Sequence, residues 1–339
     1  MKLYISMPEG ENKARMLTDA LRERLCAVCD VEENRTHSQL TAAQMYDKLE
    51  AYDIVLTSWG CTCIHGWDLK NARTRMIGHL GGTVRTVVDR EVLEQGVYVV
   101  SGNAVFPKLI AEGVLFYMLA GLKRWHESDR ALKAGARWNE GAYFGGSLFR
   151  KKVGLLGYGQ IAREVVRLLR PFEAEIFVSD PYVRPEAAAA EGMALCSEED
   201  LYRNCEIISL HHTLTEETYH MVGARQMAMM RDGAVLINTA RGGIIDEKAL
   251  EAELRRGRIY ALLDVYEKEP LPLDSGLRKI ENVFITPHLG AYSAACYQGL
   301  AETVVRQVEE FVLRGAPTDW VTAEQYDRMT DEGIMRKRR

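Results

Sequence analysis

The stretch KVGLLGYGQIAREVVRLLRPFEAEIFVSDP, residues Lys152 to Pro181, decides the fold of this 339-residue chain. A short apolar run leads into a G-x-G-x-x-A turn formed by Gly157, Gly159 and Ala162, and apolar residues then recur at helical spacing. A second apolar run ends at Asp180. This order of strand, glycine turn, helix, strand and terminal acid predicts one β-α-β unit.

Each of these residue types suits a bound dinucleotide. Gly157 permits the tight turn, Gly159 lets the backbone approach a pyrophosphate, and Ala162 lets the helix pack close to the strand. Asp180 lies about 20 residues beyond the glycines, which is the spacing of an acid that binds ribose hydroxyls. Because a carboxylate repels a 2′-phosphate, the sequence predicts NAD as the cofactor rather than NADP.

Composition favours an ordinary soluble chain. Hydrophobic residues make up 47% and charged residues 27%, and the net charge is −5. No uninterrupted apolar run reaches the length of a membrane span, and the N-terminal MKLYISMPEG lacks a signal-peptide pattern. We therefore expect a cytoplasmic protein that binds neither a membrane nor nucleic acid, with the basic residues Arg336 to Arg339 as a solvated tail.

The seven cysteines leave two interpretations open. Cys26 and Cys29 form C-x-x-C, and Cys61 and Cys63 form C-x-C, so a four-thiolate zinc site is conceivable if the pairs meet. Reduced thiols that pack in the core are the alternative, and the loose spacing favours them. We expect no metal.

Strands and helices alternate along the rest of the chain. Strands are predicted at residues 3–7, 54–57, 75–77, 97–100, 207–210, 234–238, 261–264 and 283–286. Helices are predicted at residues 12–26, 104–134, 247–256 and 294–314, with a surface loop at 135–146. This alternation predicts an α/β fold with doubly wound parallel sheets, whose ligands bind at the carboxyl ends of the strands.

Three polar side chains at predicted strand ends suit proton and carboxylate chemistry. Arg241 precedes Gly242-Gly243, so its guanidinium has room to bind a carboxylate and a neighbouring carbonyl oxygen. Glu269 precedes Pro270, and His288 follows Pro287 at the end of the last strand. A histidine held by a carboxylate commonly moves a proton near neutral pH.

The segments LLGYGQIA, INTARGGIID, LLDVYEKEPLP and ITPHLGA, in this order, resemble the NAD-dependent D-isomer-specific 2-hydroxyacid dehydrogenase family over nearly the whole chain. The resemblance implies two Rossmann-like domains, with the dinucleotide-binding domain inserted in a discontinuous substrate domain. It assigns residues 1–102 to the first part of the substrate domain, 103–290 to the NAD-binding domain, and 291–339 to a return helix and tail. It also implies a homodimer formed through the helix after Asn103.

The same resemblance implies roles for single residues. Arg241 binds the substrate, Glu269 pairs with the catalytic histidine, and His288 is the acid/base. Asp264 contacts the nicotinamide carboxamide, and Asp180 contacts the ribose. Other cofactor contacts are expected from Gln160, Ile161, His211, Thr239, Ala240, Arg241 and His288.

The substrate is expected on two further segments. By resemblance, backbone amides of Gly81-Gly82-Thr83 hold the substrate carboxylate, and Trp59-Gly60 forms a pocket wall. No cluster of basic residues is evident for a substrate phosphate, so a small, unphosphorylated 2-oxo or 2-hydroxy acid is expected. The implied reaction is hydride transfer between NAD(H) and C2 of that acid.

Two alternatives remain open from the sequence. Proteins that resemble this family include non-enzymatic, NAD-sensing transcriptional corepressors, which can keep the catalytic residues. The same fold also supports phosphite or formate oxidation. Turnover of 2-oxo acids separates the dehydrogenase from both.

The carboxylate of Asp180 should make the protein prefer NADH to NADPH, because a 2′-phosphate meets repulsion there. In Asp180→Ala the difference in kcat/KM between NADH and NADPH should become smaller, mainly because kcat/KM for NADH falls. The measurement is kcat/KM for both cofactors at fixed ionic strength, and equal efficiency with both in the unaltered protein would contradict the prediction.

Overall fold

The computed structural model describes residues 1–69, 72–138, 145–331 and 333–334. Its strands are β1 (Lys2–Ile5), β2 (Asp30–Glu33), β3 (Ile54–Ser58), β4 (Met76–Leu80), β5 (Tyr98–Ser101), β6 (Lys152–Leu156), β7 (Glu175–Ser179), β8 (Ala194–Leu195), β9 (Ile207–Leu210), β10 (Val235–Asn238), β11 (Tyr260–Leu263) and β12 (Val283–Ile285). Its helices are α1 (Glu11–Met16), α2 (Asp19–Val28), α3 (Ala42–Ala51), α4 (Arg90–Glu94), α5 (Phe106–Lys123), α6 (Trp125–Lys133), α7 (Gln160–Leu169), α8 (Pro185–Ala190), α9 (Glu198–Asn204), α10 (Ala224–Met229), α11 (Glu247–Arg255), α12 (Ala294–Arg314) and α13 (Ala323–Asp327).

The chain forms two compact units. The first contains Met1–Phe106 and Tyr292–Glu332, and the second consists chiefly of Pro107–Ala291. The first unit has a five-stranded sheet in the order β2-β1-β3-β4-β5, and the second has a seven-stranded sheet in the order β12-β11-β10-β9-β6-β7-β8. The strands pair in parallel in both sheets, so the predicted fold class of two parallel α/β sheets is confirmed.

The seven-stranded sheet is covered on both faces. Its inner strands β9, β10 and β11 are buried at every residue, which is why the sequence shows continuous apolar runs there rather than alternation. The strand order reverses between β6 and β9, which are neighbours in the sheet. A crevice for a ligand is expected outside the carboxyl ends of these two strands.

Two helices that were predicted to be continuous are each divided in the structure, so their predicted extents were wrong. The helix expected from Ala104 to Ala134 is a 3₁₀ turn followed by α5 and α6, which are separated at Arg124 by a left-handed residue with φ 48°. The helix expected at residues 12–26 is α1 and α2, because the Thr18 side chain caps a new helix by accepting from the Leu21 N–H. The strands β2 and β8 were not predicted, and part of the loop expected at residues 135–146 lies outside the described residues, as does the basic tail.

The segment Gly102–Lys123 is long and apolar enough, by composition alone, to cross a membrane. A core helix passes the same test. Five side chains of α5 join the hydrophobic core of the second unit, where they pack with residues of β6, β10 and α7: Ala111, Val114, Tyr117, Met118 and Leu122.

A buried histidine supports the loop after β4 in the first unit. His79 is fully buried, and its Nδ1 lies 3.1 Å from the Thr57 hydroxyl on β3. Burial lowers the pKa of His79 to about 4, so the ring is neutral at pH 7. Its imidazole lies directly beneath Gly81, where the Cβ of any other residue would overlap the ring.

Gly81→Ala should lower the free energy of unfolding by about 1–3 kcal/mol, because either the loop or the His79 ring must move to admit the methyl group. Calorimetry should show a reduced Tm. The control is Gly223→Ala, where the nearest atom to the new methyl, Gln226 Oε1, lies 3.6 Å away. If His79→Ala did not relieve the cost of Gly81→Ala in the double variant, the overlap would not be its cause.

Candidate active site

A histidine and a carboxylate form the centre of the site in the second unit. His288 Nδ1 lies 2.9 Å from Glu269 Oε2, and Glu269 Oε1 accepts a hydrogen bond from the Tyr266 N–H at 3.1 Å. The His288 side chain is 51% exposed. Glu269 therefore orients the ring from one side while the other side stays accessible to a ligand.

The electrostatics of the pair favour the charged forms. The hydrogen bond to Glu269 raises the pKa of His288 above its usual value, against burial and the charge of Arg241. Burial would raise the pKa of Glu269, but the hydrogen bond from His288 and the nearby positive charges lower it below its usual value. The arrangement therefore favours a protonated imidazole beside an ionised carboxylate.

Asp264 fixes the loop that carries His288. Its side chain accepts the Leu289 and Gly290 N–H groups, each at 2.7 Å, and its backbone carbonyl accepts the His288 N–H at 2.9 Å. His288 itself has a left-handed backbone, with φ 54°. Asp264 is only 1% exposed, and the nicotinamide contact predicted for it stays a prediction.

Two hydroxyl groups complete the shell of Asp264. Tyr117 on α5 donates to Oδ1 at 3.1 Å, and Thr286 donates to the same oxygen at 2.5 Å. Desolvation raises the pKa of Tyr117, so the phenol stays protonated as a donor. Neither residue was predicted from the sequence, although Thr286 lies at a predicted strand end, two residues before His288.

Arg241 lies in a turn that the Asn238 side chain stabilises. Asn238 donates from Nδ2 to the Arg241 carbonyl at 2.9 Å and accepts the Ala240 N–H at 3.0 Å. Gly242 lies so close to the Tyr266 backbone that a Cβ there would overlap the Tyr266 carbonyl. The close approach brings the loop after β10 against the loop that carries Glu269, so the structure brings together Arg241, Glu269 and His288.

The glycine turn has the features that a dinucleotide requires. Gly157 has φ +91°, in the left-handed region that favours glycine, and a Cβ on Gly159 would meet no atom within 4 Å. Gly159 is the N-cap of α7 and offers no side chain to cap it, so the first N–H groups of the helix are available to phosphates. The residues present therefore fit the cofactor predicted from the sequence.

The acid and the histidines beside this turn lie where they were predicted. Asp180 follows β7 and accepts the N–H groups of Tyr158 and Tyr182, each at 2.7 Å. His211 and His212 follow β9, across the switch point from Gly157, and among the described residues their Nε2 atoms are buried without hydrogen-bond partners. Burial and the neighbouring His212 lower the pKa of His211 to about 3, so it is neutral.

The other predicted cofactor residues occupy the same edge of the sheet. Gln160 and Ile161 form the first turn of α7, with Gln160 exposed and Ile161 half-buried. Thr239 and Ala240 follow β10, where Thr239 is buried.

The predicted substrate segments lie at strand ends of the first unit. Trp59 and Gly60 follow β3, with Trp59 42% exposed, and the Gly81-Gly82-Thr83 loop follows β4. Ser101, at the end of β5, places its hydroxyl 2.6 Å from the Gly82 carbonyl and 3.1 Å from the Gly81 carbonyl. Ser101 and His79 thus support this loop, and neither was predicted from the sequence.

One group of possible metal ligands occurs in the described ranges, and it contains no cysteine. It consists of His220, Asp246 and Glu267, whose ligand atoms all lie within 4.8 Å of one another. His220 Nε2 is 2.6 Å from Glu267 Oε1, and Asp246 caps α11 by accepting the Ala249 N–H. The first bond ties the loop after β11 to the segment between β9 and α10, and Glu247 at the start of α11 exchanges two hydrogen bonds with Glu267. The group therefore has a structural role.

Comparisons with known proteins agree with this geometry. The family described as D-isomer specific 2-hydroxyacid dehydrogenase, NAD binding domain, matches residues 115–290. The chain is 32% identical over 303 residues to a D-3-phosphoglycerate dehydrogenase of Methanocaldococcus jannaschii, covering 88% of this chain and 57% of that relative. It is 33% identical over 239 residues to a glyoxylate reductase of Korarchaeum cryptofilum, covering 69% of this chain and 72% of the relative.

A solved structure extends the likeness to both units. The TT0316 protein of Thermus thermophilus matches with a TM-score of 0.77 and 27% identity, over 95% of this chain and 100% of that one. The chain spans little more than half the length of the Methanocaldococcus relative. The chain belongs to the D-isomer specific 2-hydroxyacid dehydrogenase family, and its residues 115–290 match that family's NAD-binding domain.

Proposed function

We propose that the protein is an NAD-dependent oxidoreductase that transfers a hydride between NAD(H) and C2 of a D-2-hydroxy acid or 2-oxo acid. The main support for this proposal is the hydrogen bond between Glu269 and His288. The pair lies beside Arg241 at the carboxyl edge of the NAD-binding sheet. Relatives named glyoxylate reductase and hydroxypyruvate reductase support the substrate class.

His288 is the acid/base of the proposed reaction. In the reducing direction, the protonated ring donates to the oxygen that develops negative charge at C2, and in the oxidising direction the neutral ring takes the hydroxyl proton. Glu269 keeps Nδ1 engaged, so Nε2 is the nitrogen that exchanges the proton with the substrate.

Arg241 binds and polarises the substrate. Its planar guanidinium can donate to the carboxylate and to the neighbouring carbonyl oxygen at once, and its charge stabilises the developing alkoxide. The substrate contacts expected of the Gly81-Gly82-Thr83 backbone amides and of Trp59-Gly60 stay predictions from the family resemblance. When NAD(H) is bound, its nicotinamide supplies or accepts the hydride.

The cofactor is NAD rather than NADP in this proposal. Asp180 binds the ribose hydroxyls, and the N-terminal amides of α7 bind the pyrophosphate. His211 and His212 follow β9, across the switch point from Gly157, where further cofactor contacts are expected.

The protein is proposed to act as a cytoplasmic homodimer through α5, without a membrane or nucleic-acid partner. Large apolar side chains are exposed on α5 and α6, among them Phe116 (54%), Trp125 and Leu132. Apolar exposure of this kind favours a subunit interface. Sedimentation as a monomer at micromolar concentration would exclude the dimer.

A panel of 2-oxo acids with NADH tests the activity. Glyoxylate, pyruvate, hydroxypyruvate and longer branched acids are compared at one pH by the loss of NADH absorbance. We expect at least one to be reduced efficiently. If no acid in the panel were reduced, the proposed activity would be wrong. The result would favour the corepressor-like alternative, or phosphite or formate oxidation.

Arg241→Lys keeps the charge but removes the planar fork of donors. Because one ammonium cannot serve both the carboxylate and the carbonyl oxygen, kcat/KM should fall by about 100-fold or more. Arg225→Lys is the control, since Arg225 is an exposed residue paired with Glu199. Wild-type kcat/KM in Arg241→Lys would show that the substrate contact lies elsewhere.

Glu269→Gln should move the pH profile of reduction. Loss of the carboxylate removes the interaction that raises the pKa of His288, so the protonated ring should be lost at lower pH than in the unaltered protein. The alkaline limb of the kcat/KM profile for reduction should therefore shift downward, while part of the activity at acid pH survives. Oxidation needs the neutral ring and should gain relatively at lower pH.

Glu267→Gln provides the matched control, because this residue lies in the same loop but pairs with His220. Glu267→Gln should leave the alkaline limb of the kcat/KM profile for reduction at the same pH. If Glu269→Gln merely scaled both profiles without moving them, Glu269 would be a structural loop residue.

A further inference from the structure

Tyr266 contacts both loops that carry the histidine and glutamate of the candidate site. Its backbone N–H donates to Glu269 Oε1 at 3.1 Å, and its phenol hydroxyl donates to the Thr286 carbonyl at 2.7 Å. The Leu263 carbonyl lies farther from the same hydroxyl, at 3.2 Å, so the single phenol proton goes mainly to Thr286. Because Glu269 follows β11 and Thr286 follows β12, one residue joins the two loops.

The Thr286 carbonyl is also a contact of the histidine backbone. It accepts the His288 N–H at 3.1 Å, so the Tyr266 hydroxyl and the His288 amide share one acceptor. His288 has a left-handed backbone, with φ 54°. Such a backbone is unfavourable for a residue other than glycine and persists only where the surrounding contacts fix it. The hydrogen bond from Tyr266 helps to fix the turn from Thr286 to His288.

The Tyr266 phenol is itself held in place. Its side chain is 6% exposed and belongs to a hydrophobic core of the second unit. Desolvation raises the pKa of Tyr266, so the hydroxyl keeps its proton as a donor. A buried phenol hydroxyl needs a hydrogen-bond partner, and the Thr286 carbonyl provides it. The rigid ring therefore sets where Thr286 lies.

We propose that Tyr266 is a positioning residue, whose hydroxyl keeps His288 within hydrogen-bond reach of Glu269. This inference rests on the proposed function, in which His288 is the acid/base. Without the bond from Tyr266, the loop after β12 is free to shift relative to Glu269. The 2.9 Å contact between His288 Nδ1 and Glu269 Oε2 is then made for less of the time, and the carboxylate supports the protonated ring less.

The charges around His288 make this proposal testable. The charged groups that act on the ring are Glu269 in the loop after β11, Asp264 at the end of β11 and Arg241 in the loop after β10. The Tyr266 hydroxyl is neutral, so its removal changes none of these charges. A change in the pKa of His288 after its removal therefore reports a change in geometry.

Tyr266→Phe removes the hydroxyl and keeps the ring. The alkaline limb of the kcat/KM profile for reduction should move to lower pH, in the same direction as in Glu269→Gln but by less. On the alkaline side kcat/KM should fall about 3- to 10-fold, as expected for the loss of one hydrogen bond. The KM for NADH should stay the same, because the glycine turn is unaltered.

Tyr260→Phe is the matched control. Tyr260 begins the same strand, β11, is fully buried, and has its hydroxyl 2.7 Å from His126 Nε2. Both variants lose one buried hydroxyl, so both should lower Tm. Only Tyr266→Phe should move the alkaline limb, and an equal shift in Tyr260→Phe would overturn the proposal.

NMR titration of the imidazole signals follows the pKa of His288 without turnover, and His288→Gln identifies the signal. The pKa should be lower in Tyr266→Phe than in the unaltered protein and in Tyr260→Phe. A lowered pKa without reduction of any 2-oxo acid would uphold the positioning role and reject the proposed reaction. Reduction of a 2-oxo acid with the pKa of His288 and the alkaline limb unchanged in Tyr266→Phe would reject the positioning role and leave the proposed reaction standing.

Discussion

The candidate site depends on the buried carboxylate of Asp264. A buried charge is stable only when hydrogen bonds replace the water it has lost, and Asp264 obtains them from Leu289, Gly290, Tyr117 and Thr286. Two of these donors are backbone amides of the residues directly after His288. The requirement to satisfy Asp264 therefore holds the loop, and with it His288, within hydrogen-bond reach of Glu269.

Packing of backbone against backbone extends this constraint to Arg241. Gly242 allows the loop after β10 to lie on the Tyr266 backbone, and the Tyr266 N–H in turn binds Glu269. Three neighbouring strands, β10, β11 and β12, thus deliver the guanidinium, the carboxylate and the imidazole to one edge of the sheet. Their charges act on one another, as the raised pKa of His288 and the lowered pKa of Glu269 record. The chemistry arises from placing ordinary side chains where three parallel strands end.

Sequence patterns predicted much of this because they report local geometry. The strand predicted at Ile207–Leu210 and the helix predicted to end at Arg314 match the structure, because buried apolar runs and helical spacing are visible in the sequence. The break at Arg124 was not predictable, because a left-handed non-glycine residue inside an apolar helical pattern has no sequence signal. Tyr117, which supports Asp264, was also missed, as were His79 and Ser101, which support the Gly81-Gly82-Thr83 loop of the first unit. Their partners lie far away along the chain, and only the fold brings them together.

Isotope transfer measures the proposed transfer of hydride to C2 most directly. The protein is given NADH carrying deuterium at the transferable C4 position together with the 2-oxo acid that it reduces fastest, and the product is analysed by mass spectrometry and NMR. We predict one deuterium bound to C2 of a 2-hydroxy acid of D configuration, with matching loss from the cofactor. Oxidation of NADH without deuterium at C2 of the product, or no oxidation with any 2-oxo acid, would contradict it.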